Sequence, residues 1–252
     1  TNTLAIIHML EAIKNYKPSC RFYSAGSSEE FGDVETVPQT LEHPLKPRSP
    51  YGASKCAARH IVKVYRESYN LFAIHCILFN HEGIRRGKHF VTRKITSNLA
   101  NIKWQLDNSK SITSFELGNI FAQRDWSDSE DFVRGIWLMI NQDEPKEYIL
   151  ASNETHSVKE FVDESCKVLG LNVKWAIDED NPLNTKLILN NDIPIITISK
   201  EYYRFAEVDL LKGDYSQINK DINWKPASSF TDLVKKMVNH DYNLIVKGLN
   251  HI

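Results

Sequence analysis

The chain has 252 residues, 42% of them hydrophobic, which is enough for one large domain or two closely joined domains with a substantial core. Its formal net charge of -1 favours neither nucleic acid nor an anionic membrane surface, and no apolar run approaches the length of a membrane span. The four scattered cysteines form no CxxC pair, so we expect no metal site, no disulfide framework and a cytoplasmic location.

The first predicted elements are a helix and a strand that leads into a loop of small residues. Apolar side chains at helical spacing predict an amphipathic helix over Thr1–Tyr16, and Cys20–Ser24 follows as a short strand. The loop Ala25–Gly32 then lies at the carboxyl end of that strand, where parallel α/β sheets bind ligands. Its serines and its adjacent carboxylates, Glu29 and Glu30, are either turn residues or groups that act on a substrate.

The most clearly predicted helix begins at Ser49, a favourable cap that is followed by proline, and runs to about Tyr69. It places Tyr51 and Lys55 one turn apart on the same face. An ammonium beside a phenol stabilises the phenolate, so this pair can transfer a proton; two polar residues on a solvated helix face are the alternative. The stripe predicted to face the core consists of Ala57, Ala58, Ile61, Val64 and Tyr65.

A nearly uninterrupted apolar run over Phe72–Phe79 predicts a buried parallel strand. Strand, helix and strand in this order form a βαβ unit, so we predict an α/β fold with a parallel Rossmann-type sheet. The sequence has no GxGxxG or GxxGxxG turn, which normally follows the first strand of a nicotinamide-binding sheet. This chain therefore lacks the turn that cradles the pyrophosphate of such a cofactor.

The loop from Asn80 to Lys94 is basic. Six cationic or imidazole side chains occur in it with no acid between them: Arg85, Arg86, Lys88, His89, Arg93 and Lys94. Arginine forks suit phosphate oxygens, so the loop favours a phosphate-bearing ligand, although a solvated basic face is the alternative. Nucleic acid is not expected, because the sequence shows no recognition motif for it. His81 fits a loop histidine and a cofactor contact about equally.

The remaining predicted elements alternate between helices and strands. Helices are predicted over Val91–Lys103, from Asp131 to Asn141, from His156 to a stop at Gly170, and over Phe230–Val246. Strands are predicted within Ser114–Asn119 and Glu147–Ala151, and mixed short strands and loops over 172–200.

Several of these segments together resemble one known family. They are Gly26–Glu29, Pro47–Lys55, Leu78–Glu82, Arg85–Gly87, Phe90–Lys94, Leu117–Asn119 and Arg124–Trp126. In a single register from near Thr1 to near Val246, the chain resembles the GDP-mannose 4,6-dehydratases, which are extended short-chain dehydrogenases. YxxxK alone is common, whereas the agreement of many separate motifs is far more specific.

The resemblance implies that Ser27, Glu29, Tyr51 and Lys55 are catalytic, that NADP is the cofactor and that GDP-mannose is the substrate. Lys55, His81 and Arg86 fall where the family contacts the cofactor. The positions that fall where it holds the GDP-sugar are Asn80, Val91, Lys94, Arg124, Arg204 and Glu207. Ser27 stands where the family usually has threonine, so the hydroxyl is kept.

The resemblance also implies a longer biological protein and a domain organisation. Family members carry further residues ahead of the position of Thr1, so we expect the first strands of the Rossmann-type sheet, with their glycine-rich turn, to be missing from this chain. Residues 1–80 would be the remaining part of an NADP-binding domain, and residues 81–252 mainly a smaller α/β domain for the GDP-sugar, with 125–151 returning to the first domain. A homodimer or homotetramer and a role in GDP-fucose or deoxyhexose biosynthesis are expected. Two alternatives stay open: a GDP-4-keto-6-deoxymannose reductase, which would not need Glu29, and a non-catalytic chain that binds a GDP-sugar or a protein partner.

Overall fold

The computed structural model of the protein describes residues 2–203 and 210–249. Within them the helices are α1 (Asn2–Tyr16), α2 (Pro50–Tyr69), α3 (Val91–Asp107), α4 (Ser129–Ile140), α5 (Val158–Leu169), α6 (Ser216–Ile222) and α7 (Phe230–Val246). The strands are β1 (Phe22–Ala25), β2 (Ala73–Leu78), β3 (Asn80–Glu82), β4 (Phe115–Leu117), β5 (Gln123–Arg124), β6 (Trp126–Asp128), β7 (Tyr148–Leu150), β8 (His156–Ser157), β9 (Val173–Ala176), β10 (Lys186–Leu189), β11 (Ile193–Ile198) and β12 (Leu210–Leu211). None of the described helices is long and apolar enough to cross a membrane.

The chain divides into two compact units. The first comprises Thr1–His81, Arg124–Thr155 and Val208–Ser228, and the second comprises Glu82–Gln123, His156–Glu207 and Ser229–Ile252. The sequence analysis grouped residues 208–228 with the second domain. They belong to the first unit because Trp224 is buried there and its indole N–H donates to the Asp131 carbonyl oxygen at 2.9 Å. Which unit binds a cofactor and which binds a sugar nucleotide stays a prediction.

The first unit contains a parallel sheet with the strand order β1-β2-β7. Ser24 of β1 lies opposite His75 of β2, and Cys76 of β2 lies opposite Tyr148 of β7. All six residues of β2 are buried, as expected for an apolar strand between two parallel neighbours. The predicted α/β class with a parallel sheet is confirmed.

Alternate side chains of β2 enter cores on its two faces. Ile74, Cys76 and Leu78 pack with residues of α4 and α6, whereas Ala73 packs with residues of α1 and α2. Helices therefore cover both faces of the sheet. His75 lies on the same face of β2 as Ala73 and is only 1% exposed. Its ring nitrogens must therefore find hydrogen-bond partners inside the protein.

Helix α2 begins as the sequence predicts. The Ser49 hydroxyl accepts a hydrogen bond from the Gly52 N–H at 3.0 Å, and proline occupies the first helical position. The predicted core stripe is wrong at one position, since Val64 is 53% exposed. The buried face instead runs from Ala58 to Val62, four residues apart, and Val62 packs against α1.

The second unit combines a helical cluster with a mixed sheet. Helices α3, α5 and α7 pack against one another. The sheet has the order β4-β11-β10-β9, with β4 parallel to β11 and the other neighbours antiparallel. Asn190 and Asn191 make the turn between β10 and β11 with φ of 51° and 73°, a conformation that asparagine tolerates better than most residues.

Candidate active site

The loop after β1 folds into a single 3₁₀ turn, Ser28–Glu30, whose two glutamates have different surroundings. Ser27 caps the turn, because its hydroxyl accepts from the Glu29 N–H at 3.3 Å. The Ser27 N–H donates to Glu30 Oε1 at 2.8 Å. Glu30 is fully buried, whereas Glu29 is half-buried and its carboxylate has no partner among residues 2–203 and 210–249. Of the two, Glu29 is the carboxylate that can act on a ligand.

Gly52 brings the first turn of α2 against this loop. A Cβ at position 52 would lie 2.5 Å from the Glu29 carbonyl oxygen, which is closer than a real side-chain atom can approach. The preceding residue, Tyr51, is 48% exposed, and its hydroxyl has no hydrogen-bond partner within the part of the chain that the structure describes. The close backbone approach therefore sets the Tyr51 turn beside the Glu29 segment.

Lys55 is fixed at the carboxyl end of β1. Its Nζ donates to the Ala25 carbonyl oxygen at 2.7 Å and lies 5.7 Å from the centre of the Tyr51 ring. Burial lowers the pKa of Lys55, and the charge of Glu30 opposes this effect. With one hydrogen bond made, the ammonium keeps two protons for a ligand. The first unit thus brings together Ser27, Glu29, Tyr51 and Lys55 as hydroxyl, carboxylate, phenol and ammonium.

Three other predicted site residues lie on or near strand ends. Asn80 and His81 follow the carboxyl end of β2, and both are half-buried. His81 Nδ1 lies 2.9 Å from the Phe79 carbonyl oxygen, and because a carbonyl only accepts, Nδ1–H is the donor. The imidazole ring centre is 5.1 Å from that of Phe132. Arg124 lies half-buried in β5. Their roles as ligand contacts stay predictions.

In the second unit, Arg86 is held by its neighbours. Its Nε lies 3.0 Å from Glu82 Oε2, and its guanidinium carbon lies 3.5 Å from the centre of the Phe90 ring. The Thr92 hydroxyl donates to the same Glu82 oxygen at 2.6 Å. Burial raises the pKa of Glu82, and the charge of Arg86 opposes this. These contacts restrict Arg86 to one region of the loop.

Arg93 has a structural role instead of a ligand-binding one. It is 3% exposed, and its Nε and Nη2 bind both oxygens of Asp241 on α7 at 2.7–2.9 Å. Its Nη1 donates to the carbonyl oxygens of Ile84 and Arg86. The prediction that the cationic side chains of this loop bind phosphate is therefore wrong for Arg93. The local sequence contains no acid near it, and the counter-charge comes from α7, distant in the chain.

Val91 and Lys94 lie in the first turn of α3. Val91 is 37% exposed, and Lys94 Nζ lies 3.8 Å from the centre of the Tyr202 ring. Burial lowers the pKa of Lys94, an effect that nearby glutamates oppose. The sequence analysis did not identify Tyr202 as the aromatic partner. Arg204 and Glu207 lie outside the described residues.

The sequence analysis also missed the partner of Glu30. His75 Nε2 lies 3.0 Å from Glu30 Oε1, and His75 Nδ1 lies 3.1 Å from the Ser24 hydroxyl. The signal for this network was present in the sequence as one histidine inside an otherwise apolar strand. A polar ring in a fully buried strand requires hydrogen-bond partners, but the sequence alone does not say which.

Comparison with known proteins identifies the family. Residues 1–237 match the family model described as GDP-mannose 4,6 dehydratase. The chain belongs to this family. Relatives named GDP-mannose 4,6-dehydratase are 42% identical over 241 residues in Cricetulus griseus, 43% over 242 residues in Arabidopsis thaliana and 38% over 251 residues in Vibrio cholerae. These alignments cover 94–95% of this chain but 63%, 60% and 66% of the respective relatives.

Solved structures share the fold of this dehydratase-family chain at low sequence identity. RMD from Pseudomonas aeruginosa, complexed with NADPH, is 20% identical with a TM-score of 0.77, and the match covers 96% of this chain and 73% of that one. The dTDP-glucose 4,6-dehydratase of Bacillus anthracis, in complex with NAD, is 20% identical with a TM-score of 0.75, covering 95% and 67%. These likenesses support the Rossmann-type α/β fold.

Proposed function

We propose that the protein dehydrates GDP-mannose to GDP-4-keto-6-deoxymannose by internal hydride transfer through NADP. The observation that carries this proposal is the close approach of Gly52 to the Glu29 backbone carbonyl, next to the turn of α2 that bears Tyr51 and Lys55. The Glu29 carboxylate has no partner in the described part of the chain. One base is then available for an alcohol and a second for a carbon acid. The family of the chain and the names of its relatives support the substrate.

A nicotinamide cofactor, when bound, would accept a hydride from the sugar and return it later in the reaction. Lys55 fits such a group, because its ammonium is fixed at the carboxyl edge of a parallel sheet and has two N–H donors left for hydrogen bonds to a ligand. His81 and Arg86 are the other proposed cofactor contacts. The solved structures in complex with NADPH or NAD support a nicotinamide cofactor, and the family resemblance favours NADP.

Tyr51 is the proposed base for the alcohol. Lys55 stabilises its phenolate, which removes the proton of the sugar C4 hydroxyl as the hydride leaves C4. The Ser27 hydroxyl accepts from the Glu29 N–H, and this leaves its own proton free to bind the sugar O4. The half-exposed position of Tyr51 leaves its hydroxyl within reach of a ligand.

Glu29 is the proposed base for the carbon acid. The new ketone at C4 acidifies the proton on C5, and Glu29 removes that proton. Glu29 then gives it to the C6 hydroxyl, which leaves as water as the C5–C6 double bond forms. Within residues 2–203 and 210–249 no arginine or lysine pairs with the half-buried Glu29 carboxylate, so its oxygens are available to a proton of the ligand. Glu30 is excluded, because its carboxylate is fully buried.

The GDP-sugar would be held by Asn80, Val91, Lys94, Arg124, Arg204 and Glu207. Lys94 supplies a cation that a nearby aromatic ring already orients. The resemblance further implies a cytoplasmic homodimer or homotetramer that acts in GDP-fucose or deoxyhexose biosynthesis.

Turnover of GDP-mannose by the purified full-length protein tests the proposal. We expect GDP-4-keto-6-deoxymannose by mass spectrometry, with no net change in reduced cofactor. Stoichiometric loss of NADPH with a keto-sugar would instead indicate the reductase, and binding without turnover would indicate a binding protein.

The Glu29→Gln variant isolates the second base. Hydride transfer to NADP should still occur, so reduced cofactor accumulates to about one per site while water loss stops. Glu35→Gln is the matched control, since Glu35 is an exposed glutamate of the same unit that pairs with Lys46 at the surface. Unchanged dehydration in Glu29→Gln would contradict the assignment.

A further inference from the structure

Beneath the Ser27–Glu29 turn lies a buried polar network that the proposed mechanism does not use. Ser24, Glu30 and His75 are 3%, 0% and 1% exposed. Glu30 Oε1 accepts from the Ser27 N–H at 2.8 Å and lies 3.0 Å from His75 Nε2. The other ring nitrogen, Nδ1, lies 3.1 Å from the Ser24 hydroxyl. The network ties three segments, β1, the turn and β2, to one carboxylate oxygen.

Gly26 packs directly against the network. A Cβ on Gly26 would lie 2.5 Å from His75 Nε2 and 2.7 Å from Glu30 Oε1. The glycine backbone therefore covers the pair directly. Glu30 Oε2 is also buried and has no hydrogen-bond partner within the described residues. A buried carboxylate so incompletely satisfied is costly for stability, which suggests that its charge has a use.

The charge of Glu30 acts on groups of two neighbouring elements. On α2 it opposes the lowering of the Lys55 pKa by burial, and it adds to burial in raising the pKa of Cys56 to about 11. On β2 it adds to burial in raising the pKa of Cys76. The charge of Arg59 acts in the opposite sense and lowers the pKa of the Cys56 thiol. Among these groups only Lys55 belongs to the proposed active site.

We propose that Glu30 and His75 are positioning residues of this enzyme: they hold the Ser27–Glu29 turn in register with α2. The Glu30 carboxyl group also favours the ammonium form of Lys55. This inference rests on the proposed function. Glu30 does not itself contact the substrate and acts through Ser27, Glu29 and Lys55. Its removal therefore lowers kcat and leaves the affinity for the substrate nearly unchanged.

Two substitutions separate the contributions of shape and charge. Glu30→Gln keeps an acceptor oxygen for the Ser27 N–H and His75 but removes the charge, whereas Glu30→Ala removes both. We expect kcat to fall about 10- to 100-fold in Glu30→Ala with KM for GDP-mannose within about twofold, and Glu30→Gln to recover part of that loss. Glu67→Gln is the control, since Glu67 is an exposed glutamate of α2 whose contact is Lys63 at 4.0 Å.

Two further measurements do not depend on turnover. Hydrogen exchange in the peptide over residues 22–31 should become faster in Glu30→Ala and His75→Ala, and change less in Glu30→Gln. Acylation of Lys55 followed across pH by mass spectrometry should show its titration moving to lower pH in both Glu30 variants and staying unchanged in Glu67→Gln.

The outcomes distinguish this inference from the proposed function. Wild-type protein that does not convert GDP-mannose overturns the function, while exchange and acylation still report on the network. Wild-type kcat in Glu30→Ala overturns the positioning role. Wild-type exchange and wild-type Lys55 titration in a folded Glu30→Gln or Glu30→Ala protein overturn the physical basis for it.

Discussion

The candidate site of the first unit and the Arg93–Asp241 pair of the second unit differ in how their polar groups are partnered. In the first, Tyr51 and Glu29 are partly exposed, and neither the hydroxyl nor the carboxylate has a partner in residues 2–203 and 210–249. In the second, Arg93 and Asp241 are each 3% exposed and bind through a bidentate pair. Groups left without partners cost stability or wait for a ligand, whereas saturated groups hold elements together.

Two adjacent residues of the first unit show the same contrast. Glu29 and Glu30 are adjacent in sequence, yet one carboxylate reaches the surface and the other is fully buried against His75. A 3₁₀ turn directs consecutive side chains in different directions, which is enough to give two glutamates different roles. Exposure and hydrogen bonding, not residue type, therefore decide which charged residues are candidates for chemistry. The predictions below test that rule.

The largest expected effect is that of Tyr51→Phe. The phenol oxygen is the proposed base, so its loss should lower kcat by about 10³- to 10⁴-fold. Because this hydroxyl has no hydrogen-bond partner in the described structure, the melting temperature should stay within about 1 °C of wild type. Steady-state kinetics and calorimetry check both statements. A variant with wild-type kcat would place Tyr51 outside the chemistry, and a variant with a much lower melting temperature would contradict the absence of a structural role for its hydroxyl.

Arg93→Lys should show the reverse pattern, a loss of stability with no direct loss of chemistry. Lysine cannot reproduce the bidentate contact with Asp241 or the two bonds to the loop carbonyls, so a buried carboxylate is left poorly paired. We expect the free energy of unfolding to fall by about 3–5 kcal/mol, measured by urea denaturation.

Arg85→Lys is the control for this measurement, because Arg85 belongs to the same loop but is exposed. It should change the free energy of unfolding by less than about 0.5 kcal/mol. Equal effects of the two substitutions would show that burial does not separate the arginines of this loop.

Gly52→Ala tests the contact that joins the two halves of the candidate site. An added Cβ would lie 2.5 Å from the Glu29 carbonyl oxygen, so either the turn or the first turn of α2 must shift. Alanine is otherwise favourable in a helix, and the stability cost should be only about 1–2 kcal/mol. Activity should fall about 10- to 100-fold because Tyr51 and Glu29 lose their relative placement. Ala53→Ser, at the next and exposed position, should leave activity unchanged.

Much of this architecture was predictable from the sequence, because the signals for it lie in residues that are neighbours in the chain. Ser49 and Pro50 set the start of α2, and the apolar run over 72–79 predicted β2, because caps and continuous burial are written in neighbouring residues. The error at Val64 is of the opposite kind. Which helical stripe is buried depends on α1, a separate part of the chain, and the sequence contained several apolar stripes to choose from.

For the candidate site, the sequence named residues whose roles stay predictions. The resemblance named Glu29, Tyr51 and Lys55, but not the glutamate beneath them. Arg93 looked like its neighbours in a basic loop, and only the fold shows Asp241 beside it. Counter-charges from distant segments are invisible to local patterns, so sequence reasoning overestimates how many charged residues await a ligand.

The smallest effect with a definite sign concerns Asp125. Burial raises its pKa to about 6, although hydrogen bonds from Ser152, Asn153 and Gly213 oppose the shift. A carboxyl whose folded pKa is raised contributes stability that is present below its unfolded pKa of about 3.9 and is lost as the pH rises through 6. The free energy of unfolding should therefore lose up to about 2–3 kcal/mol between pH 4 and pH 7 from this group alone.

Asp125→Asn isolates that contribution, because the amide does not titrate. The variant should be less stable than wild type at every pH, since its NH₂ group would face backbone N–H donors. The difference between the two proteins should shrink by the titration contribution from pH 4 to pH 7, as measured by denaturation at each pH. A difference independent of pH would mean that the hydrogen bonds keep Asp125 ionised throughout, and that a saturated buried carboxylate escapes the cost of its burial.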